Sequence, residues 1–236
     1  PRCRQRAIDD ARTHAGATVQ PRPVPGGALV AAMSPGSGRR RLVRMSALDD
    51  APLVQPEDRA AWRAWLEANH ATVRGAWLVM WRARSGRQAL DYEAAIEEAL
   101  CFGWVDGTAG TVDEDRGKLY FSQRRPRSVW AATNKARVER LIASGRMERA
   151  GLAAIERAKA DGSWTVLDGP ERLEVPPDLA VALDAHPPAA ERFAKFPPSS
   201  RKMMLSWVAT AVRPETRASR IGQIAVKAAR NERAQG

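Results

Sequence analysis

β-Strand signals are confined to the first half of this 236-residue chain, which limits the folds that it can adopt. The run Gly75–Arg84 carries apolar residues on both faces, a pattern typical of an interior strand that is covered on both sides. Two shorter strands are predicted at Trp104–Asp106 and Lys118–Gln123, and the polar, Gly-rich segment between them predicts a loop. Because strands and helices do not alternate as parallel βαβ units require, we expect a small antiparallel sheet with packed helices.

From Ser128 onward the sequence predicts helices only. Ser128 is predicted to cap the first of them, which Gly145 ends. Prolines at positions 187–188, 197–198 and 214 separate the last helices, since proline ends or kinks a helix. The Pro- and Gly-punctuated segment from Leu167 to Pro177 predicts a linker. The fold class is therefore predicted as α+β, with an α+β domain at residues 45–126 and an all-helical C-terminal region at 127–236.

A basic leader precedes these domains. Residues 1–44 hold nine arginines against two aspartates, whereas the remaining residues hold 29 basic and 25 acidic side chains. The stretch Gln20–Arg41 is rich in Pro, Gly and Ser and cannot offset its ordering entropy by apolar burial, so the leader is predicted to be disordered. We interpret Met45 as the true start. No apolar run approaches the about 20 residues that span a bilayer, so no transmembrane segment is expected.

Sequence motifs for the common catalytic chemistries are missing. No Gly-rich phosphate-binding motif has the required spacing, the three histidines are scattered, and no cysteine or histidine pair has the spacing of metal ligands. No serine or cysteine has an evident histidine partner. These features predict no catalytic residue, no metal and no cofactor. With two cysteines and no secretion signal, a cytoplasmic location is expected.

Three aromatic and basic segments remain as candidates for function. The first, Ala99–Gly107, places Trp104 and Asp106 just after a helix end, where both side chains could line a cavity. The alternative is that Trp104 is a core residue and that Asp106 caps a turn.

The second segment brings Arg124 and Arg125 to the start of the helix predicted after Ser128. Helix amino termini attract anions, and arginines would add charge-assisted hydrogen bonds. Three residues of this segment share one helix face at spacing i, i+4 and i+7, namely Trp130, Asn134 and Arg137. This pattern predicts an anion or carboxylate site. The alternative is a solvated basic face with a half-buried tryptophan.

In the third segment, Pro214, Glu215 and Thr216 suit the start of the last predicted helix. This helix places Arg217 and Arg220 on one face, together with the preceding Arg213. Like charges on one helix face repel each other, so an internal acid or an external anion must compensate them. We expect that Arg124, Arg125 and Arg217 crowd one concavity whose charge the fold alone does not neutralise.

Three sequence runs together resemble a known family: ALCFGWVDG from Ala99, RRPRSVWAATNKARVERLIASGRM from Arg124, and KFPPSSRKMMLSWVATAVRPETRASRI from Lys195. They resemble the YdeI/OmpD-associated family, also called the bacteriocin-protection family, over about residues 62–230, with a C-terminal family segment at 178–231. The resemblance implies a small bacterial cytoplasmic protein linked to stress response and antimicrobial-peptide resistance, with no established reaction or cofactor. One departure is Val212, which stands where a lysine is expected before the RPETR run.

These observations leave three hypotheses. The first is a non-catalytic stress-protection or bacteriocin-protection protein that binds an anionic small molecule or protein partner through its Arg/Trp surface. The second is an enzyme that uses Asp106 as acid or base with Arg124 or Arg137 as electrostatic stabilisers. The third is nucleic-acid binding, which ranks last because the net charge outside the leader is small.

Overall fold

The computed structural model describes residues 48, 50–87 and 90–234. The predicted disordered leader at residues 1–44 and the proposed start at Met45 lie outside the described residues. None of the helices in the described part is long and apolar enough to cross a membrane.

The sheet has four strands in the order β1-β2-β4-β3. The strands are β1 (Leu53–Val54), β2 (Gly75–Trp81), β3 (Trp104–Thr111) and β4 (Arg116–Gln123). β2 and β3 both pair antiparallel with β4, as predicted. The two-residue β1 was not predicted, and it pairs parallel with β2, so the sheet is mixed rather than purely antiparallel. The segment predicted as a loop instead extends both hairpin strands, with an irregular register between Asp106 and Ala109.

Two helices pack with this sheet around the first core: α1 (Arg59–Asn69) and α2 (Tyr92–Cys101). Asp91 caps α2, because its carboxylate accepts a hydrogen bond from the amide of Ala94 at 3.2 Å. β2 is buried through Met80, which agrees with a strand covered on both sides.

The next helices are α3 (Ala132–Ala143) and α4 (Arg149–Ala160), and both contribute side chains to the first core. Ser128 does not cap α3, because the helix begins after Ala131. Residues 125–128 instead form a turn, which the amide of Ser128 closes by donating to the carbonyl of Arg125 at 3.1 Å. Within this turn Arg127 adopts a left-handed backbone conformation (φ 61°), and its amide donates to Asp161 at 3.0 Å.

The remaining helices enclose a second core of their own. They are α5 (Asp168–Glu171), α6 (Pro177–Asp184), α7 (Ala189–Lys195), α8 (Pro198–Ala209) and α9 (Pro214–Ala229). Prolines lie at their starts or in the connections, as the sequence predicts. The predicted linker from Leu167 to Pro177 is partly helical, since it contains α5, which packs against α8. The C-terminal helical region is thereby confirmed.

Candidate functional site

A cavity of about 350 Å³ opens between α2, the start of β3, the end of β4 and the start of α3. Its polar lining comprises Asp106, Arg124, Thr133, Asn134 and Arg137. Its other lining residues are Tyr92, Ile96, Val105, Val129, Ala131 and Leu167. The structure therefore brings four of the predicted site residues, Asp106, Arg124, Asn134 and Arg137, to one cavity.

Arg124 is the most unusual of these residues. It is only 8% exposed, and its guanidinium carbon lies 3.6 Å from the centre of the Trp130 ring. Nη1 donates two long hydrogen bonds, to Ser128 Oγ at 3.4 Å and to the carbonyl of Val129 at 3.3 Å. Within residues 48, 50–87 and 90–234, Nε has no hydrogen-bond partner. The cation is thus held in place by stacking more than by hydrogen bonds.

Burial disfavours the charged form of Arg124. Burial lowers the pKa of the Arg124 guanidinium to about 10, and the negative charge of Asp106 only partly opposes the effect. No carboxylate of the described part of the chain forms a salt bridge with Arg124. A buried cation without a bound counter-charge is costly, and an anion in the adjacent cavity would reduce that cost.

Arg137 has the opposite environment. It is 6% exposed, and Nε and Nη2 donate to the two carboxylate oxygens of Glu93 at 2.8 and 2.6 Å. Nη1 donates to Asn134 Oδ1 at 2.7 Å. The hydrogen bonds with Glu93 raise the pKa of Arg137. This pair positions the Asn134 amide at the cavity, but the charge of Arg137 is already matched.

The start of α3 adds a second attraction for anions. Among the residues that the structure describes, no side chain caps this twelve-residue helix, and the cavity is lined by its N-cap residue Ala131 and by Thr133 and Asn134 of its first turn. The first amides of a helix lack intrahelical partners and carry a partial positive charge. The uncapped helix end and the buried Arg124 therefore favour negative charge in the same cavity.

Asp106 gives the cavity one negative side chain. It is partly exposed at the cavity wall, and its charge acts on both Arg124 and Arg137. Trp104, in contrast, does not line the cavity. It is fully buried in the first core and its indole nitrogen donates to the carbonyl of His70 at 3.3 Å, so the core alternative is correct.

Two predicted residues lie beside the cavity rather than in it. Arg125 is exposed, and it lines a narrow groove together with Ser128, Arg127 and Arg157. Ser128 contacts the site only through its hydroxyl, which accepts the long hydrogen bond from Arg124.

The expectation of one concavity shared by Arg124, Arg125 and Arg217 is wrong. Arg217 donates to both oxygens of Asp178 at 2.6 and 2.9 Å and lines a different cavity, next to Leu205 and Ala209. Arg220 donates to the carbonyl of Trp207 and lies over its ring at 5.1 Å. Thr216 lies with them in the first turn of α9. An internal acid, not a ligand, compensates Arg217.

Sequence reasoning missed the apolar wall of the cavity and the partner of Arg137. Tyr92 and Ile96 lie four residues apart on α2. Because α2 ends at Cys101, shortly before the predicted site residue Asp106, the sequence could have indicated that this helix contributes to the same cavity. Glu93 lies on the same helix, but nothing local links it to Arg137, which is 44 residues away.

In the described ranges no group of histidine, cysteine and carboxylate side chains could hold a metal ion.

Comparison with known proteins divides the chain into two regions. Residues 54–154, which contain the cavity except for Leu167, match a domain of unknown function (DUF8412). Residues 172–231 match the family described as bacteriocin-protection, YdeI or OmpD-associated. The resemblance to this family is therefore confirmed for that segment. The first two resemblance runs fall in the other matched region. No curated protein and no solved structure matches the chain.

Proposed function

We propose that this chain is a non-catalytic binding protein that holds a small anionic ligand in the cavity beside Arg124. The observation that supports it is the buried Arg124 guanidinium, which lines the cavity and has no salt bridge within the described residues. Burying a charge without its counter-charge costs free energy, and a bound anion would recover part of it.

Two features support a specific site rather than a general basic surface. Trp130 holds the planar guanidinium in one orientation, and a preorganised donor loses little side-chain entropy on binding. The uncapped start of α3 adds backbone donors to the same wall. The cavity volume lies near the lower end of small-molecule sites, which span about 300–1,000 Å³.

The alternative hypotheses have weaker support. An enzyme that uses Arg137 as an electrostatic stabiliser would need a guanidinium open to substrate, whereas Arg137 is engaged by Glu93 and Asn134. Nucleic-acid binding through the third segment would need open arginines, whereas Arg217 is bound to Asp178. A stress-protection or bacteriocin-protection role in the bacterial cytoplasm is a proposal that draws on the description of the family matched by residues 172–231.

A thermal-shift screen tests the anion site. The full chain is heated with phosphate, with sulfate and with a panel of small carboxylates and phosphorylated metabolites at constant ionic strength. Ligand at about 100 times its Kd contributes about 2.7 kcal/mol, which corresponds to a rise of several degrees in Tm.

The variant Arg124→Gln is expected to abolish the Tm rise. The matched control is Arg125→Gln, which removes an exposed arginine one residue away, outside the cavity, and is expected to keep it. If no anion raises the Tm of the wild-type chain, or if both variants respond equally to an anion that does, the proposal is wrong.

A further inference from the structure

We infer that the ligand of this cavity is a small monocarboxylate with an apolar body, whose carboxylate contacts Arg124 and the start of α3 and whose body packs against the apolar wall. The inference rests on the proposed anion site and adds the chemical class of its ligand.

The groups that the cavity offers for hydrogen bonds with a ligand are mostly donors. Within the described residues, Arg124 donates through Nη1 only and its Nε is enclosed without a partner, which leaves Nη2 as the donor for a ligand. Asn134 Oδ1 accepts from Arg137, so the Asn134 amide nitrogen remains as a second donor. The amide of Thr133, in the first turn of α3, lacks an intrahelical partner. A carboxylate matches this wall, because its two oxygens accept hydrogen bonds and it carries no donor.

The space next to Arg124 selects the side from which a ligand approaches. Arg124 lines both the cavity and the narrow groove that Arg125 also lines. The groove encloses about 10 Å³, which is room for about one water molecule, whereas the cavity encloses about 350 Å³. A ligand with an organic body therefore reaches Arg124 from the cavity.

The charges around the cavity favour a ligand with a single negative charge. Glu93 binds Arg137 through two hydrogen bonds, and the charge of Asp106 acts on both Arg124 and Arg137. Asp106 is thus already engaged with the wall, and the ligand need not supply a cation for it. One negative charge is stabilised by Arg124 and by the start of α3. A phosphate dianion would double the repulsion from Asp106 without meeting another unpaired arginine in the described lining.

The rest of the lining suits an alkyl or aryl body. Ile96, Val105 and Leu167 supply aliphatic surface, and Tyr92 supplies a ring. Apolar surface that a ligand removes from water here contributes about 25 cal/mol per Å² to binding. A sugar acid would leave this surface without an apolar partner and would need more hydrogen-bonding groups than the wall provides.

The test is isothermal titration calorimetry of the full chain at pH 7.5, with phenylacetate and 4-methylpentanoate as the aryl and alkyl probes. Each probe is compared with acetate, which lacks the body, and with its own amide, which lacks the charge. At least one probe is expected to bind, and acetate and the matching amide are expected to bind at least about tenfold more weakly. Phenyl phosphate, which joins a ring to a dianion, is expected to bind at least about tenfold more weakly than the better probe.

Variants locate the two ends of the ligand. Arg124→Gln removes the cation, and Asn134→Asp replaces a donor with a negatively charged acceptor. Both are expected to weaken the monocarboxylate at least about tenfold. Leu167→Ala shortens the apolar wall and is expected to weaken it by about threefold to tenfold. The matched control is Leu152→Ala, which shortens an exposed leucine of α4 outside the cavity and is expected to keep the affinity.

The variant Asp106→Asn tests the charge argument. Because the carboxylate repels a dianion more than a monoanion, this change is expected to narrow the gap in affinity between phenylacetate and phenyl phosphate by at least about threefold. A melting curve of each variant verifies that it remains folded, and the comparisons among ligands on the wild-type chain depend on no variant.

The outcomes distinguish this inference from the proposed anion site. If phenyl phosphate or inorganic phosphate binds as tightly as both monocarboxylates, and Arg124→Gln abolishes that binding, the anion site stands and the monocarboxylate inference is overturned. If acetate binds as tightly as the larger probes, or if Leu167→Ala and Leu152→Ala have equal effects, the apolar contact is wrong. If none of the probes binds while another anion binds through Arg124, only this inference fails. If no anion of any kind binds, both proposals fail.

Discussion

The guanidinium of Arg124 stacks on the ring of Trp130 at 3.6 Å, and this pair forms the boundary between the cavity and the first core. Trp130 is itself held by Trp164, whose ring centre lies 5.0 Å away. Stacking fixes the orientation of the cation but does not neutralise its charge. The cavity therefore contains a charged group whose position is set before any ligand arrives.

Arg124→Met is expected to increase the stability of the ligand-free protein. Because burial lowers the pKa of Arg124 to about 10, folding disfavours the charged form, and an apolar side chain of similar length removes this cost. The lost stacking on Trp130 offsets part of the gain, so we expect a net increase of about 1 kcal/mol, or a Tm rise of about 2–4 °C. Scanning calorimetry at pH 7 measures it.

The matched control is Arg137→Met. This change leaves the Glu93 carboxylate and the Asn134 amide without their partner, so we expect destabilisation of about 2–3 kcal/mol. If Arg124→Met destabilises the protein as much as Arg137→Met does, Arg124 is a structural residue and the cost of its burial has been overestimated.

Glu98 is expected to be the most sensitive carboxylate of the fold. Its side chain is 1% exposed and accepts hydrogen bonds from Arg59 at 2.6 Å, from Arg63 at 2.8 Å and from Arg146. These contacts join α1, α2 and the loop before α4. Glu98→Gln keeps the shape of the side chain but removes the negative charge that three arginines share. We therefore expect the free energy of unfolding, measured by urea denaturation, to fall by about 3 kcal/mol.

Glu156→Gln is the control for this change, because Glu156 pairs with Lys159 on the exposed face of α4. Its free energy of unfolding is expected to differ from that of the wild type by no more than about 0.5 kcal/mol. Equal effects of the two variants would contradict the view that Glu98 organises the ion cluster.

Glu93 predicts a pH dependence of stability. The hydrogen bonds from Arg137 lower the pKa of Glu93, so the folded state binds its proton less readily than the unfolded state. The resulting stabilisation is fully present above the pKa of an unfolded glutamate, about 4.3, and is lost as the pH falls through the lower pKa of the folded state. The test is a set of melting curves of the wild type and Glu93→Gln between pH 7 and pH 3. The difference in free energy of unfolding between the two proteins is expected to stay constant at the upper end of this range and to shrink below about pH 4. A difference that stays constant to pH 3 would contradict this linkage.

Local features of this fold could be predicted from the sequence because their causes lie within a few residues. Asp91 caps α2, and Gly103 and Gly145 follow helix ends with positive φ angles of 74° and 68°. Such signals depend on backbone geometry and neighbouring amides alone. The failure at Ser128 has an equally physical reason, since the amide of Ser128 closes a turn on the carbonyl of Arg125 and the helix begins only after Ala131. A tertiary hydrogen bond from the amide of Arg127 to Asp161, which the local sequence does not reveal, accompanies this turn.

The candidate site could be predicted only where its residues are close in sequence. Asn134 and Arg137 lie one turn apart on α3, so their shared face follows from helix geometry. Arg217 was assigned to the same concavity because like charges on one helix face need compensation, but the pattern does not reveal what supplies it. The partner, Asp178, is 39 residues away, and only the packing of α6 against α9 brings it there.

Gly151 is expected to be the least replaceable glycine of the α2–α4 contact. A Cβ atom at this position would lie 2.3 Å from the carbonyl oxygen of Cys101 and 2.7 Å from that of Leu100. Because both atoms belong to the backbone at the end of α2, α4 must move away from α2 for the alanine of Gly151→Ala to fit. We therefore expect the free energy of unfolding to fall by about 2–3 kcal/mol, which lowers the midpoint of urea denaturation. Gly222→Ala in α9 is the matched control, since open space surrounds that position and alanine favours helices, so a gain of about 0.5–1 kcal/mol is expected. If Gly151→Ala is neutral, α4 does not pack on α2 as closely as the contact distances require.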